Sequence, residues 1–167
     1  MTVEVILEDD RWTELERLAG VAVPAALNGA GVGSGWEVVV LGCGDDRIAA
    51  LNAEFRGQSK PTNVLSWPSD DRRPATMGKP PAPPDPSDPE LGDLALAYET
   101  CAREAEEQGK AFDDHVIHLV VHGVLHLLGY DHETDADALR MESLERRVLS
   151  GLGLPDPYDN AIFKDVG

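Results

Sequence analysis

The chain has 167 residues, of which 42% are hydrophobic and 27% charged, and a formal net charge of −17. That length suits one domain with a single sizeable core, and no run approaches the roughly twenty apolar residues of a membrane-crossing helix. The acidity argues against broad, nonspecific attachment to nucleic acid, which draws on lysine and arginine, but is compatible with a local basic patch.

The start, Met1-Thr2-Val3-Glu4-Val5, lacks the basic and apolar regions of a secretion signal. Residues 3–7 alternate as a first strand, and residues 12–27 carry apolar side chains at helical spacing. A glycine-rich connection, 29–35, leads to a β-branched strand at 36–41. Asp45 is placed to cap a short helix over 46–55 with Ile48 and Leu51 inward, and 64–67 reads as another strand. Cys43 and Cys101 form neither a CxxC pair nor a disulfide framework, so a cytoplasmic setting is expected.

Residues 68–89 hold eight of the twelve prolines together with several aspartates. Such a stretch cannot build a core, and a mobile loop is expected at about 69–90. Residues 91–98 read as a strand containing Gly92-Asp93, and 100–108 as the start of a helix or a short separate helix. A helix follows over 113–128, rich in Leu, Val, Ile and His, with Asp113 and Asp114 at its positively polarised start. The last helix, 135–149, is charged and amphipathic, with Leu139, Leu144 and Val148 expected inward. Four strands and about four helices predict a single α+β domain over 1–167, its helices packed on a mixed, mainly four-stranded sheet.

All five histidines fall between His115 and His132. Three of them form H-x3-H-x5-H: His122, His126 and His132, with Gly129 between the last two. Residues four apart share a helix face about 6 Å apart, so two imidazoles can meet one ion. A third ligand six residues on would point away if the helix continued. Gly129 can take the left-handed conformation that ends a helix and returns His132 to the same place. Three neutral imidazoles with an open fourth position are a catalytic zinc pattern, so one Zn2+ per chain is expected at the end of the central helix. Imidazole also suits Ni, Cu and Fe.

His118, one turn before His122, could compete as a ligand, but using it would leave His132 unexplained. It is read as lying beside the ligands or facing substrate, and His115 as an ordinary helix residue. In the zincin pattern H-E-x-x-H a glutamate follows the first histidine; here Gly123 stands there, which makes this chain a poor peptidase by that mechanism. Asp131 could orient a ligand or accept a proton, although a structural role is the better reading. Asp93 is placed in a turn or beside the site, and Met141 in the core.

Three blocks carry a family resemblance: HGVLHLLGYDHETDADALRMESLE from His122 to Glu145, LNAEFR with KPTNVLSWP between Leu51 and Pro68, and LGDLAL from Leu91 to Leu96. In this order they resemble the YbeY family of bacterial rRNA-maturation metallo-endoribonucleases. Residues 1–40 match it only in general character. The resemblance implies a single-strand-specific endoribonuclease with zinc on His122, His126 and His132. It further implies roles in 16S rRNA 3′-end maturation and ribosome quality control, and rRNA and the ribosome or its small-subunit precursors as partners. The family's arginine maps onto Arg56, whose fork can grip two phosphate oxygens. Trp67 stands where phenylalanine is usual, and the proline-rich insertion follows it.

The general base stays open between a hydroxide on the metal and the RNA's own 2′-hydroxyl. Two rival readings remain: a metalloprotease-like hydrolase, and a ribosome-assembly factor whose metal holds the fold while its acidic surface meets basic ribosomal proteins.

Overall fold

Period-two alternation along the strands sends their side chains to two differently covered faces. The computed structural model describes residues 3–57, 61–74 and 79–158. Within them the order is β1 (Val3–Leu7), α1 (Leu15–Gly29), β2 (Glu37–Cys43), α2 (Asp45–Arg56), β3 (Val64–Pro68), β4 (Glu90–Ala97), α3 (Tyr98–Glu107), α4 (Phe112–Leu127) and α5 (Asp135–Gly151). The sheet runs β1-β2-β4-β3, with β1, β2 and β4 parallel and β3 antiparallel to β4. Val38, Val40, Leu94 and Leu96 meet α1 and α4 on one face. Cys43, Leu65, Ala95 and Ala97 meet Ile48 and Leu51 of α2 on the other.

The α4 helix is buried continuously from His115 to Leu125. It lies between the sheet, α1, α3 and α5, which explains why its apolar side chains run all round it. Gly123 allows the close approach: a Cβ there would come within 2.7 Å of Leu94 Cδ2 on β4. The residue that removes a peptidase base is therefore also what lets α4 press onto the sheet.

Several local expectations are corrected. Five helices form, and α3 starts at Tyr98 directly after β4, so Tyr98 belongs to the helix and not to the strand. Gly44, not Asp45, occupies the cap position of α2 in extended backbone. Asp45 instead accepts hydrogen bonds from the Thr100 backbone N–H and hydroxyl, while Glu99 accepts the Asp45 N–H. Each helix start is thus capped by a carboxylate from the other.

Leu139 is 64% exposed. The inward stripe of α5 is Met141, Leu144, Glu145, Val148 and Leu149, and a position two before Met141 falls on the opposite side of a 3.6-residue helix. The described part of the proline-rich stretch carries no helix or strand between Pro68 and Glu90. Its first residues are nonetheless pinned: Arg72 Nη1 donates to the carbonyls of Leu91 (3.1 Å) and Leu127 (2.9 Å), and Nη2 to Ser69 Oγ (2.8 Å). Lys60 of the second sequence block lies outside the described residues. Among the described residues no helix is long and apolar enough to cross a membrane.

Candidate metal centre and its cleft

The end of α4 is a Schellman turn. Tyr130 N–H donates to Leu125 O (3.0 Å) and Gly129 N–H to His126 O (3.0 Å), with Gly129 at φ 104°. A Cβ on Gly129 would collide with the Arg72 carbonyl, so both the turn and the passing loop require glycine. The reversal returns His132 to the last turn of α4. Its ring centroid lies 5.3 Å from that of His126 and 5.7 Å from that of His122, which are themselves 4.6 Å apart. One nitrogen from each of the three falls within a mutual 4.8 Å.

Hydrogen bonding decides which nitrogens face inward. His122 Nδ1–H donates to Glu145 Oε1 at 2.8 Å, and His126 Nδ1–H to the Tyr130 carbonyl at 3.0 Å. With both Nδ1 atoms committed as donors, each Nε2 presents a lone pair, and these two atoms stand 3.0 Å apart. Two lone pairs at that distance repel unless a cation lies between them. Burial, with His122 and His132 nearby, lowers the His126 pKa to about 3, so its imidazole stays neutral, as a metal ligand must be. The donor set fits a divalent ion of the zinc type.

Glu145, which the sequence reading did not single out, organises this end of the helix. Its side chain is 0% exposed and also accepts from His118 Nε2 (3.0 Å) and the Tyr158 hydroxyl (2.8 Å). Burial alone would raise the carboxyl; the donors on His118 and His122 more than offset that and hold it well below the usual carboxylate range. Burial and the adjacent Glu145 push the Tyr158 hydroxyl well above its ordinary value. A signal for Glu145 did exist, since it is the one charged residue on the buried stripe of α5.

His118 is buried behind His122 and bonded to Glu145, so it does not face a substrate. His118, His122 and Glu145 are also close enough to hold an ion. Their short contacts, however, are donor-to-acceptor pairs that account for the proximity without one.

The histidines open onto a cleft of about 1100 Å³ that is also lined by Arg56, Asn63, Ser66, Arg103, Glu104 and Asp131. Arg56, exposed at the end of α2, donates from Nη2 to the Ser66 carbonyl (2.9 Å) and has no carboxylate partner among the described residues. Arg73, on the same cleft, is taken up by Asp71 (3.0 Å) and Glu133 (3.6 Å). Asp131 Oδ1 accepts the Glu133 N–H at 3.3 Å, which makes it part of the turn bearing His132. Asp93 is not brought to the site. It shares the α2 side of the sheet with Ala95 and Ala97 and lines a separate groove with Glu4 and Trp67. Partial burial and Glu4 raise its pKa. Met141 is core.

The three imidazoles could hold a metal ion at the mouth of a cleft that also exposes the Arg56 guanidinium, which has no carboxylate partner among the described residues. Comparison with known proteins narrows the class: residues 6–153 match the family described as Endoribonuclease YbeY, and the chain belongs to that family. An Endoribonuclease YbeY from Dinoroseobacter shibae is 58% identical over 164 residues, covering 95% of this chain and 91% of that protein. Another from Paracoccus denitrificans is 54% identical over 157 residues, covering 93% and 89%. The solution structure of a Thermotoga maritima protein shares the fold with a TM-score of 0.56 at 22% identity, over 91% of this chain and 92% of that one.

Proposed function

We propose that the protein is a zinc-dependent endoribonuclease of single-stranded RNA that acts in 16S rRNA 3′-end maturation and ribosome quality control in the cytoplasm. The observation that carries this reading is the pair of Nε2 lone pairs 3.0 Å apart, in one cleft with Arg56, in a chain of a family named for endoribonucleases. The rRNA target, the single-strand preference and the ribosomal partners rest on the family resemblance. The charge of −17 adds basic ribosomal proteins as partners of the acidic surface.

His122, His126 and His132 would hold the ion, with Glu145 and the Tyr130 carbonyl fixing two of the rings. A zinc ion there would supply Lewis-acid charge to a phosphoryl oxygen and make a water molecule more acidic. Arg56, anchored on Ser66 by one N–H, turns its remaining donors to the phosphate and stabilises the charge that grows on it. Glu145 is fully buried, so it orients His122 and does not shuttle protons to the cleft. Gly123 leaves the position of a peptidase glutamate without a side chain, which disfavours peptide hydrolysis.

Two variants test the reading on single-stranded rRNA fragments. His126→Ala should lose the zinc, about one per chain in the parent protein, together with cleavage. Arg56→Glu should keep the zinc and the fold while cleavage falls roughly 100- to 1000-fold, the range for removing a transition-state charge stabiliser. Full zinc retention in His126→Ala, or undiminished cutting in Arg56→Glu, would overturn it.

A further inference from the structure

A second histidine–carboxylate pair borders the same cleft, and the proposed chemistry does not use it. His115 lies seven residues before His122, about 10 Å along α4. It is fully buried, and its Nε2 is 3.0 Å from Glu104 Oε1 on α3. Asn63, only 3% exposed, reaches the same carboxylate from the side, its Nδ2 lying 3.1 Å from Oε1 and 3.4 Å from Oε2. The Asn63 side-chain oxygen Oδ1 accepts the Val64 N–H at 2.6 Å, which fixes the amide so that its nitrogen faces Glu104.

The carboxylate is thus held from behind and from one side. Its side chain keeps 23% exposure, and both Glu104 and Asn63 line the cleft of the three imidazoles. Burial would raise its pKa; the His115 and Asn63 hydrogen bonds hold it below the usual carboxylate range. Oε2 keeps acceptor capacity beyond its 3.4 Å contact from Asn63.

A fixed anion in a cleft for a polyanion repels phosphate. The part of a nucleotide it attracts is an N–H on a base edge, and single-stranded RNA exposes those edges. Guanine presents two adjacent N–H donors on its Watson–Crick edge, and with Oε1 taken by His115 and Asn63 they converge on Oε2 of this acceptor-only carboxylate. Uracil presents one, flanked by two carbonyl oxygens that a carboxylate repels. We propose that Glu104, positioned by His115 and Asn63, is a specificity-determining residue that accepts N–H donors from a nucleobase beside the cleaved phosphate, guanine before the others. The proposal rests on the endoribonuclease reading above.

The test uses zinc-loaded full-length protein and single-stranded oligoribonucleotides that differ only in guanosine, inosine, adenosine, cytidine or uridine on either side of the cut. In the parent protein, kcat/KM for guanosine should exceed that for uridine roughly 10- to 100-fold, the discrimination of one good base-edge contact, and inosine should lose part of it. In Glu104→Gln, which replaces one acceptor by a donor, the guanosine-to-uridine ratio should collapse toward one while zinc content is retained. Glu104→Asp keeps the charge but withdraws the carboxylate, and should lower the ratio as well. An absent guanosine preference in the parent protein, or an unchanged ratio in the variants, overturns the proposal.

If the parent protein cuts none of these RNAs, the endoribonuclease reading fails. Glu104 is then judged by fluorescence anisotropy with the same, uncut oligoribonucleotides. A guanine preference in binding that Glu104→Gln removes supports the base contact, and equal binding of all bases sinks it.

Discussion

The two ends of α4 each press histidine against glutamate, and they differ in what remains on the far side of the carboxylate. At the C-terminal end Glu145 is 0% exposed and takes hydrogen bonds from His118, His122 and Tyr158. None of it is exposed to the cleft, so the carboxylate acts by setting the tautomer and tilt of His122. At the N-terminal end Glu104 takes hydrogen bonds from His115 and Asn63 and keeps 23% of its side chain open to the cleft. Exposure is the difference. A sealed carboxylate is a structural anchor, whereas a partly exposed one presents a fixed acceptor to whatever enters.

The largest break in this comparison should come from Glu145→Ala. It strands buried donors on His118, His122 and Tyr158, and loss of one partner from a buried charged network costs about 3–5 kcal/mol. Urea unfolding would read that loss. Zinc affinity should fall roughly 10- to 100-fold, as for other residues that orient a metal ligand. Glu104→Ala should leave zinc affinity within about twofold of the parent; comparable zinc loss in both variants would mean that the two ends are not distinct.

Acid should separate the ends next. In the zinc-free protein His126 stays neutral down to about pH 3, whereas an unfolded histidine takes its proton near 6.5. The unfolded chain therefore binds more protons in that window, and stability should decline as pH falls from about 6.5 toward 3. Both glutamates are held below their ordinary range, so each contributes stability that is fully present above about pH 4.5 and is lost as pH falls further. The sealed pair should dominate. Urea unfolding at stepped pH should show a flatter acid limb in Glu145→Gln than in Glu104→Gln, and equal slopes would contradict the distinction.

The smallest effects should come from trimming one donor at each end. Tyr158→Phe removes a charged hydrogen bond and should cost about 1.5–3 kcal/mol, with a measurable drop in zinc affinity. Asn63→Ala removes a comparable donor from Glu104 and should cost a similar amount in thermal or urea unfolding, with zinc affinity retained. A zinc defect in Asn63→Ala that matches that of Tyr158→Phe would join the two networks into one.

How much could be read from the chain depended on distance along it. The i, i+4 relation of His122 and His126 and the glycine turn toward His132 are local, and the structure brings the three rings together as that spacing requires. The strands and the mixed sheet were also legible, because alternation and turn residues are short-range signals. Leu139 was misassigned by a phase error of two positions on α5, and Asp93 by its place in a family-like block, although its strand turns it to the α2 side of the sheet. Glu145 was overlooked as one more acid in an acidic helix. Only its position on the buried stripe sets it apart, and its partners lie 13 to 27 residues away.

By itself the sequence determined the family, the element order and the three imidazoles at the end of one helix, since all of these follow from spacing and from side-chain chemistry within a few turns. Tertiary structure alone decided which nitrogen of His122 faces the centre, because that depends on Glu145 of α5. It also decided that Arg56 shares a cleft with the histidines, and that one buried carboxylate is closed while its counterpart stays open. Those outcomes are set where separate elements meet, and no local period encodes a meeting.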